Sequence, residues 1–184
     1  NPPDGRVIQI GWARIPMPGM PFNQAFSLPI RLRLRRTAEG IRLFAAPIEE
    51  LSSLRGPKHS AAAVQLTPGS PSTLDVSGEL FEIRAEFALN GAQAVGVDIG
   101  GNRVTYDVAA KHLNGAALEP VDGRISMQVM VDRPMMEICG NEGRVYITSP
   151  RAEHGPISAV GAFAEGGPAR LIRLDVYELA SIWK

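Results

Sequence analysis

The sequence predicts an all-β protein, an antiparallel β-sandwich of two packed sheets with roughly ten to twelve strands. Two observations support this prediction. The 19 glycines and 15 prolines are spread along the 184 residues and separate short apolar runs, which is typical of many short strands joined by turns. Most of those runs alternate apolar with polar residues, the period of a strand with one buried face. Alternate residues of both sheets would then form one core.

The first strand in chain order covers residues 6–14. Alternation then predicts strands at residues 30–35 and 41–44, 80–89, 94–99 and 103–108, 124–131, 135–139, 144–148 and 169–179. Residues 80–89 give the clearest pattern, because their apolar side chains share one face and Glu82, Arg84 and Glu86 share the other. Residues 47–55 allow only a turn or two of helix, which Gly56 and Pro57 would end.

One boundary is suggested by composition. Residues 16–21 read PMPGMP, with three prolines and one glycine, and so resemble a linker or a tight crossover. The strand before this segment can therefore belong to a different unit from the strands after it.

Composition excludes several function classes. Nineteen lysines and arginines balance nineteen acidic residues, whereas a nucleic-acid surface needs a cationic excess. No apolar run approaches the roughly 20 residues that cross a bilayer. The lone Cys139 excludes a disulfide within the chain and a zinc site of several cysteines. The first residues lack the basic start and apolar stretch of a signal peptide.

Chemical motifs are few. His59, His112 and His154 are far apart in sequence, so they do not form a metal-ligand pair on one helix face, and we predict no metal and no organic cofactor. No glycine-rich phosphate loop precedes a helix, and Gly-x-Ser-x-Gly is absent. Cys139 lies in an apolar strand and is expected to be a buried, inert thiol.

Paired carboxylates are candidate catalytic groups, because glycosidases need two that face each other. Asp132 and Glu137 flank one predicted turn, and Asp98 and Asp107 flank another. Glu137 stands between apolar Met136 and Ile138, and alternation therefore favours a solvent-facing side chain. We predict no catalytic residue in this chain.

Aromatic side chains could stack on sugar rings. The candidates are Trp12 and Trp183, with Tyr106, Tyr146 and Tyr177, although aromatics make up only 6% of the chain. Trp183 follows Ile182 at the C-terminus and is better explained as closing the edge of the core. The role of Trp12 stays open.

Several segments, in order, resemble glycoside hydrolase family 32, the invertases, levanases, inulinases and related β-fructosidases. They are GRVIQIGW at residues 5–12, MPGMPFNQ at 17–24, LPIRLRLR at 28–35, EGIRLF at 39–44, PI at 47–48, VDRPMMEICGNEGR at 131–144 and VYELASIW at 176–183. Enzymes of that family have a catalytic five-bladed β-propeller followed by a β-sandwich. The resemblance covers most of the chain and matches the C-terminal part.

The family's catalytic carboxylates lie in three propeller motifs, Trp-x-Asn-Asp-Pro-Asn, Arg-Asp-Pro and Glu-Cys. This sequence contains none of them. The resemblance therefore implies that residues 1–24 are the last propeller strands and a linker, and that residues 25–184 are the C-terminal sandwich.

This resemblance implies a non-catalytic module that packs against the propeller of a fructan- or sucrose-cleaving enzyme and stabilises it. An exposed apolar patch within residues 6–26 is the expected signature. Trp12, Asn23 and Gln24 are candidate substrate-binding residues at the junction, with core or interface packing as the alternative. The resemblance also implies export to the periplasm or the extracellular space, and self-association into a homo-oligomer is an open prediction.

Two alternatives remain. A stand-alone carbohydrate-binding module would show a groove with exposed aromatics and convergent polar groups. An independent enzyme with an unrecognised site would release fructose from fructosides.

Overall fold

A computed structural model describes residues 2–17, 21–152 and 155–182 of the chain. Residues 18–20 of the proline-rich segment, His154 and Trp183 lie outside the described residues. Within these ranges the chain forms seventeen strands and two short 3₁₀ helices, at Glu49–Leu54 and Asn141–Gly143. The first of these helices lies where the sequence allowed a turn or two.

The strands are β1 (Val7–Gln9), β2 (Trp12–Ala13), β3 (Ala25–Phe26), β4 (Ile30–Thr37), β5 (Gly40–Pro47), β6 (Arg55–Leu66), β7 (Ser72–Gly78), β8 (Leu80–Ala88), β9 (Ala94–Ile99), β10 (Asn102–Asp107), β11 (His112–Leu113), β12 (Ala116–Ala117), β13 (Arg124–Asp132), β14 (Met135–Gly140), β15 (Val145–Pro150), β16 (Ile157–Glu165) and β17 (Ala169–Leu179).

Two six-stranded antiparallel sheets form the body of the protein. Sheet 1 has the order β12-β11-β10-β9-β16-β7, and sheet 2 has the order β15-β14-β13-β8-β17-β6. Side chains from both sheets meet in one buried cluster, which includes Phe81, Phe87, Ile99, Tyr106 and Leu171. The predicted antiparallel β-sandwich is confirmed.

The alternation of β8 is as predicted on its apolar face, but Glu82 on the other face is not solvated. Its side chain is 2% exposed and accepts hydrogen bonds from Arg55, Arg84 and Gln128. These donors hold the pKa of Glu82 below its usual value although burial opposes them. A buried carboxylate with cationic partners on β6 and on β8 itself is a satisfied ion cluster.

The N-terminal residues form two small sheets of their own. β1, β4 and β5 make a three-stranded sheet, with Val7 opposite Leu32, and β2 pairs with β3. The pairing of β1 with β4 joins segments on either side of the sequence-based boundary at residue 24. The N-terminal part is therefore one hydrogen-bonded layer that continues up to Pro47.

This layer covers part of the outer face of sheet 2. Met135 of β14 packs with Ala13 and Ile15, and the Cys139 Sγ lies 3.8 Å from the carbonyl oxygen of Ala45. Every residue of β14 is buried as a result. One face of β14 packs inside the sandwich, and the other packs against the N-terminal layer.

Candidate functional site

The junction between the N-terminal layer and sheet 2 contains the predicted site residues. Trp12 begins β2 and is 67% exposed, and its cross-strand partner Phe26 is 77% exposed. The guanidinium of Arg14 lies 5.6 Å from the centre of the Trp12 ring. Two large aromatic side chains thus stand side by side on a two-stranded sheet, an arrangement that is costly to leave in water unless a partner covers it.

Asn23 and Gln24 lie just before β3. Asn23 is exposed, whereas Gln24 is partly buried and has a left-handed backbone with φ of 82°. Its backbone N–H donates to the carbonyl of Ile15, next to β2, and its buried side-chain oxygen has no hydrogen-bond partner. The structure therefore brings Gln24 and Trp12 onto facing segments and places Asn23 beside them.

Large exposed apolar side chains are concentrated in the N-terminal layer. Among the described residues ten such side chains are exposed, and only Val121 and Ile182 lie outside this layer. We call the other eight the N-terminal apolar surface: Val7, Ile10, Trp12, Phe22, Phe26, Leu34, Ile41 and Leu43. It includes the apolar side chains expected within residues 6–26 and extends beyond them into β4 and β5.

Glu137 lies beneath this layer, at the centre of β14. The prediction of a solvent-facing Glu137 side chain is wrong, since this residue is 1% exposed. One carboxylate oxygen accepts the backbone N–H of Leu28 at 2.8 Å, and the other accepts the hydroxyl of Tyr146. Burial raises the pKa of Glu137 to about 7, against the opposing effect of the Leu28 N–H.

A sequence signal for this burial exists. Glu137 shares its strand face with residues two positions away, Met135 and Cys139, and both are apolar. The immediate neighbours Met136 and Ile138 indicate only the opposite face.

The two carboxylate pairs considered from the sequence do not form an accessible catalytic site. Asp132 is a diagonal neighbour of Glu137 on the same face, but both oxygens of Glu137 are engaged and sealed from solvent. Asp98 and Asp107 lie four residues apart along the β9–β10 ladder, roughly 13 Å, which exceeds the separation of paired glycosidase carboxylates. Asp98 and Asp107 each accept a backbone N–H in a turn.

The remaining chemical groups have structural partners. His59 lies 3.0 Å from Glu178 across β6 and β17, and burial raises the pKa of the Cys139 thiol to about 12. Within residues 2–17, 21–152 and 155–182, no cluster of three or more potential metal ligands occurs. No helix in the same part of the chain is long and apolar enough to span a bilayer.

A groove of about 1030 Å³ separates the β4–β5 hairpin from the outer face of sheet 2. Phe44 lies in it between two guanidinium groups, 4.4 Å from Arg35 and 5.6 Å from Arg144. Arg35 also pairs with Glu142, and Arg144 with Glu39. These pairs bridge the hairpin and the sandwich and tie the N-terminal layer to sheet 2.

Known proteins share this sequence pattern and this fold. The family model "Glycosyl hydrolases family 32 C terminal" matches residues 50–178. A levanase of Bacillus sp. (strain L7) is 27% identical over 215 aligned positions, which include 99% of this chain and 23% of the levanase. A levanase of Bacillus subtilis (strain 168) is 26% identical over 213 positions, with 98% of this chain and 32% of the levanase.

Solved structures show the same fold. The exo-inulinase of Aspergillus awamori superposes with a TM-score of 0.83 at 22% identity, covering 96% of this chain and 41% of that one. A fructofuranosidase of Schwanniomyces occidentalis in complex with fructosylnystose gives a TM-score of 0.74 at 19% identity. The chain thus spans only 23% and 32% of the two levanases.

Proposed function

Since the chain belongs to the C-terminal family of the family 32 glycosyl hydrolases, we propose that it is the non-catalytic sandwich of a fructan- or sucrose-cleaving enzyme. Its role in this proposal is to bind and stabilise a catalytic propeller. The N-terminal apolar surface is the observation that carries the proposal. Eight exposed apolar side chains in one layer are what a domain interface leaves when its partner is absent.

The small sheet of this layer supports the same proposal. β1, β4 and β5 form three antiparallel strands, whereas a propeller blade has four. We propose that they are part of a last blade, completed by chain that precedes them. The pairing of β1 with β4 and the start of the family match at residue 50 favour a domain boundary beyond Pro47 over one at residue 24.

The substrate class of this proposal comes from the relatives. They are two levanases, an exo-inulinase and a fructofuranosidase, and the exo-inulinase of Aspergillus awamori is described as extracellular. We therefore propose a fructan substrate and an exported parent enzyme. Trp12, with Asn23 and Gln24 beside it, would line the approach to the propeller's pocket. Self-association of the chain stays a prediction.

The proposal is tested by expressing the chain with the coding sequence upstream of Asn1. The longer protein should release fructose from levan, inulin or sucrose, whereas the 184-residue chain alone should not. The upstream part, produced separately, should bind this chain. Leu34→Glu should weaken that binding, because it places a charge in the apolar surface, and Val121→Glu, at an exposed site outside that surface, is the matched control.

Two results would count against this function. One is an upstream sequence that lacks the Asp-Pro-Asn, Arg-Asp-Pro and Glu-Cys motifs. The other is fructose release by the isolated chain, which would favour an independent enzyme.

The exposed pair Trp12 and Phe26 also supports a second candidate, a sugar-binding surface. Aromatic rings of this kind stack on pyranose and furanose faces. Titration of the chain with levan, inulin and sucrose would then give heat that Trp12→Ala abolishes. Flat titrations at millimolar sugar exclude this candidate and leave the docking function unaffected.

A further inference from the structure

Glu137 is a buried carboxylate that no part of the proposed function uses. It belongs to the sandwich, yet one of its hydrogen bonds leaves the sandwich. Its 2.8 Å bond from the Leu28 N–H joins positions 109 residues apart. The Tyr146 hydroxyl from neighbouring β15 holds the other carboxylate oxygen, so the carboxylate is fixed between a strand neighbour and the N-terminal layer.

The Leu28 backbone is directly connected to the strand of Trp12. The neighbouring Ser27 exchanges two hydrogen bonds with Gly11: its N–H donates to the Gly11 carbonyl at 2.9 Å, and its Oγ accepts the Gly11 N–H at 2.7 Å. Trp12 follows Gly11 and pairs with Phe26. Two steps thus link Glu137 to the backbone that carries the indole: its bond from Leu28, and the pair of bonds between Ser27 and Gly11.

No other charge explains the position of Glu137. Among the described residues no arginine or lysine forms an ion pair with it. The groups that face it are Leu28 from the N-terminal layer, Tyr146 from β15 and the carboxylate of Asp132 from β13. A purely apolar residue would fill this site at less cost, because burying an unpaired carboxylate is expensive. What the carboxylate adds is an acceptor for a backbone N–H that otherwise has none.

We propose that Glu137 is a positioning residue, which fixes residues 27–28 from within the sandwich and thereby sets the place of Trp12. The proposal rests on the proposed function in one respect, the role of Trp12 near the substrate. The sandwich would then contribute to catalysis in the propeller without touching substrate.

The test is amide hydrogen exchange of Gly11 and Ser27 in this chain, with Glu137→Leu, Tyr146→Phe and Glu137→Gln. Glu137→Leu leaves the Leu28 N–H without an acceptor, and protection of the Gly11 and Ser27 amides should fall about tenfold. Protection in the β8–β17 ladder should not change. Tyr146→Phe keeps the carboxylate and removes one of its donors, so it should give a smaller loss. Glu137→Gln keeps an acceptor for the Leu28 N–H and should retain the protection of the Gly11 and Ser27 amides.

Glu86→Leu is the matched control, since it removes a carboxylate from the same face of sheet 2 without contact to Leu28. Unchanged exchange at Gly11 and Ser27 in folded Glu137→Leu overturns the proposal, as does an equal loss in the control. If Glu137→Leu does not fold, unchanged exchange in Tyr146→Phe overturns it.

A second readout separates this proposal from the proposed function. In the longer enzyme, Glu137→Leu should raise KM for fructan more than it lowers kcat. Faster exchange with unchanged KM supports the positioning role and contradicts the placement of Trp12 near substrate. Unchanged exchange contradicts the positioning role and leaves the docking function intact.

Discussion

Replacing Glu137 by glutamine should change how the stability of the chain depends on pH. Burial raises the pKa of this carboxyl from 4.5 to about 7 in the folded chain, and the nearby Asp132 carboxylate adds to the increase. In the unfolded chain the same group titrates near its ordinary value. The folded protein therefore holds a proton on Glu137 over a pH range in which the unfolded chain has released it.

The sign follows from linkage between protonation and folding. A carboxyl with a raised pKa stabilises the fold fully below the unfolded pKa, and that stabilisation is lost as the pH rises through the folded pKa. A shift from 4.5 to about 7 corresponds to about 3 kcal/mol at 1.36 kcal/mol per pH unit. Solvent screens this effect little, because Glu137 is 1% exposed. Glutamine does not titrate, so its variant lacks this loss.

Urea unfolding followed by circular dichroism, at intervals between pH 4.5 and 8, measures the effect. The free energy of unfolding of the native chain, relative to Glu137→Gln, should fall by about 3 kcal/mol up to pH 7.5 and then stay level. Asp132→Asn is a control and should change the pH dependence of stability less, because the Asp132 side chain is 43% exposed and water screens it. Parallel curves for the native chain and Glu137→Gln would refute the reasoning.

Three further outcomes test the fold. Glu82→Ala should lower the free energy of urea unfolding by about 3 kcal/mol, because it removes the buried acceptor of charge-assisted hydrogen bonds from Arg55 and Arg84. Glu86→Ala, whose one described ion pair is 3.3 Å long, should cost less than about 1 kcal/mol, and equal losses would contradict the role of the cluster. Gly96→Ala should lower the melting temperature, since its Cβ would lie 2.1 Å from the Val104 carbonyl oxygen, and Gly161→Ala on the adjacent strand, with 3.4 Å of room, should have a much smaller effect. Cys139 should react with a thiol reagent only after unfolding, because burial raises its pKa to about 12, and rapid labelling of the native chain would show that the N-terminal layer does not cover it.

The strands that the sequence predicts well carry apolar side chains that are buried in the core. The predicted bounds of β9 and β17 coincide with the structure, and β8 differs by one residue. β6 was not predicted, because it contains Gly56, Pro57 and three consecutive alanines. Proline and weak strand formers are tolerated there since β6 is an edge strand that pairs only with β17. Its place depends on the sheet and not on its own residues.

The sequence predicts only part of the candidate site. Trp12 stands next to a proline-rich segment and was identified from the sequence, and its exposure was then found in the structure. Glu137 was missed because strand alternation indicates which residues share a face and not what covers that face. Only a layer from a distant part of the chain buries it, and Leu28 is 109 positions away.

The composition of β14 bears on what the folded unit is. A sandwich that ended at its own outer surface would place polar side chains at Met135, Glu137 and Cys139. Two of these three residues are apolar instead, and the third has its polar atoms satisfied by the N-terminal layer and by β15. Removing the layer would expose Met135 and Cys139 and leave the Glu137 carboxylate without its backbone donor. β14 is therefore adapted to a permanent cover, which the N-terminal layer supplies while it exposes apolar side chains of its own.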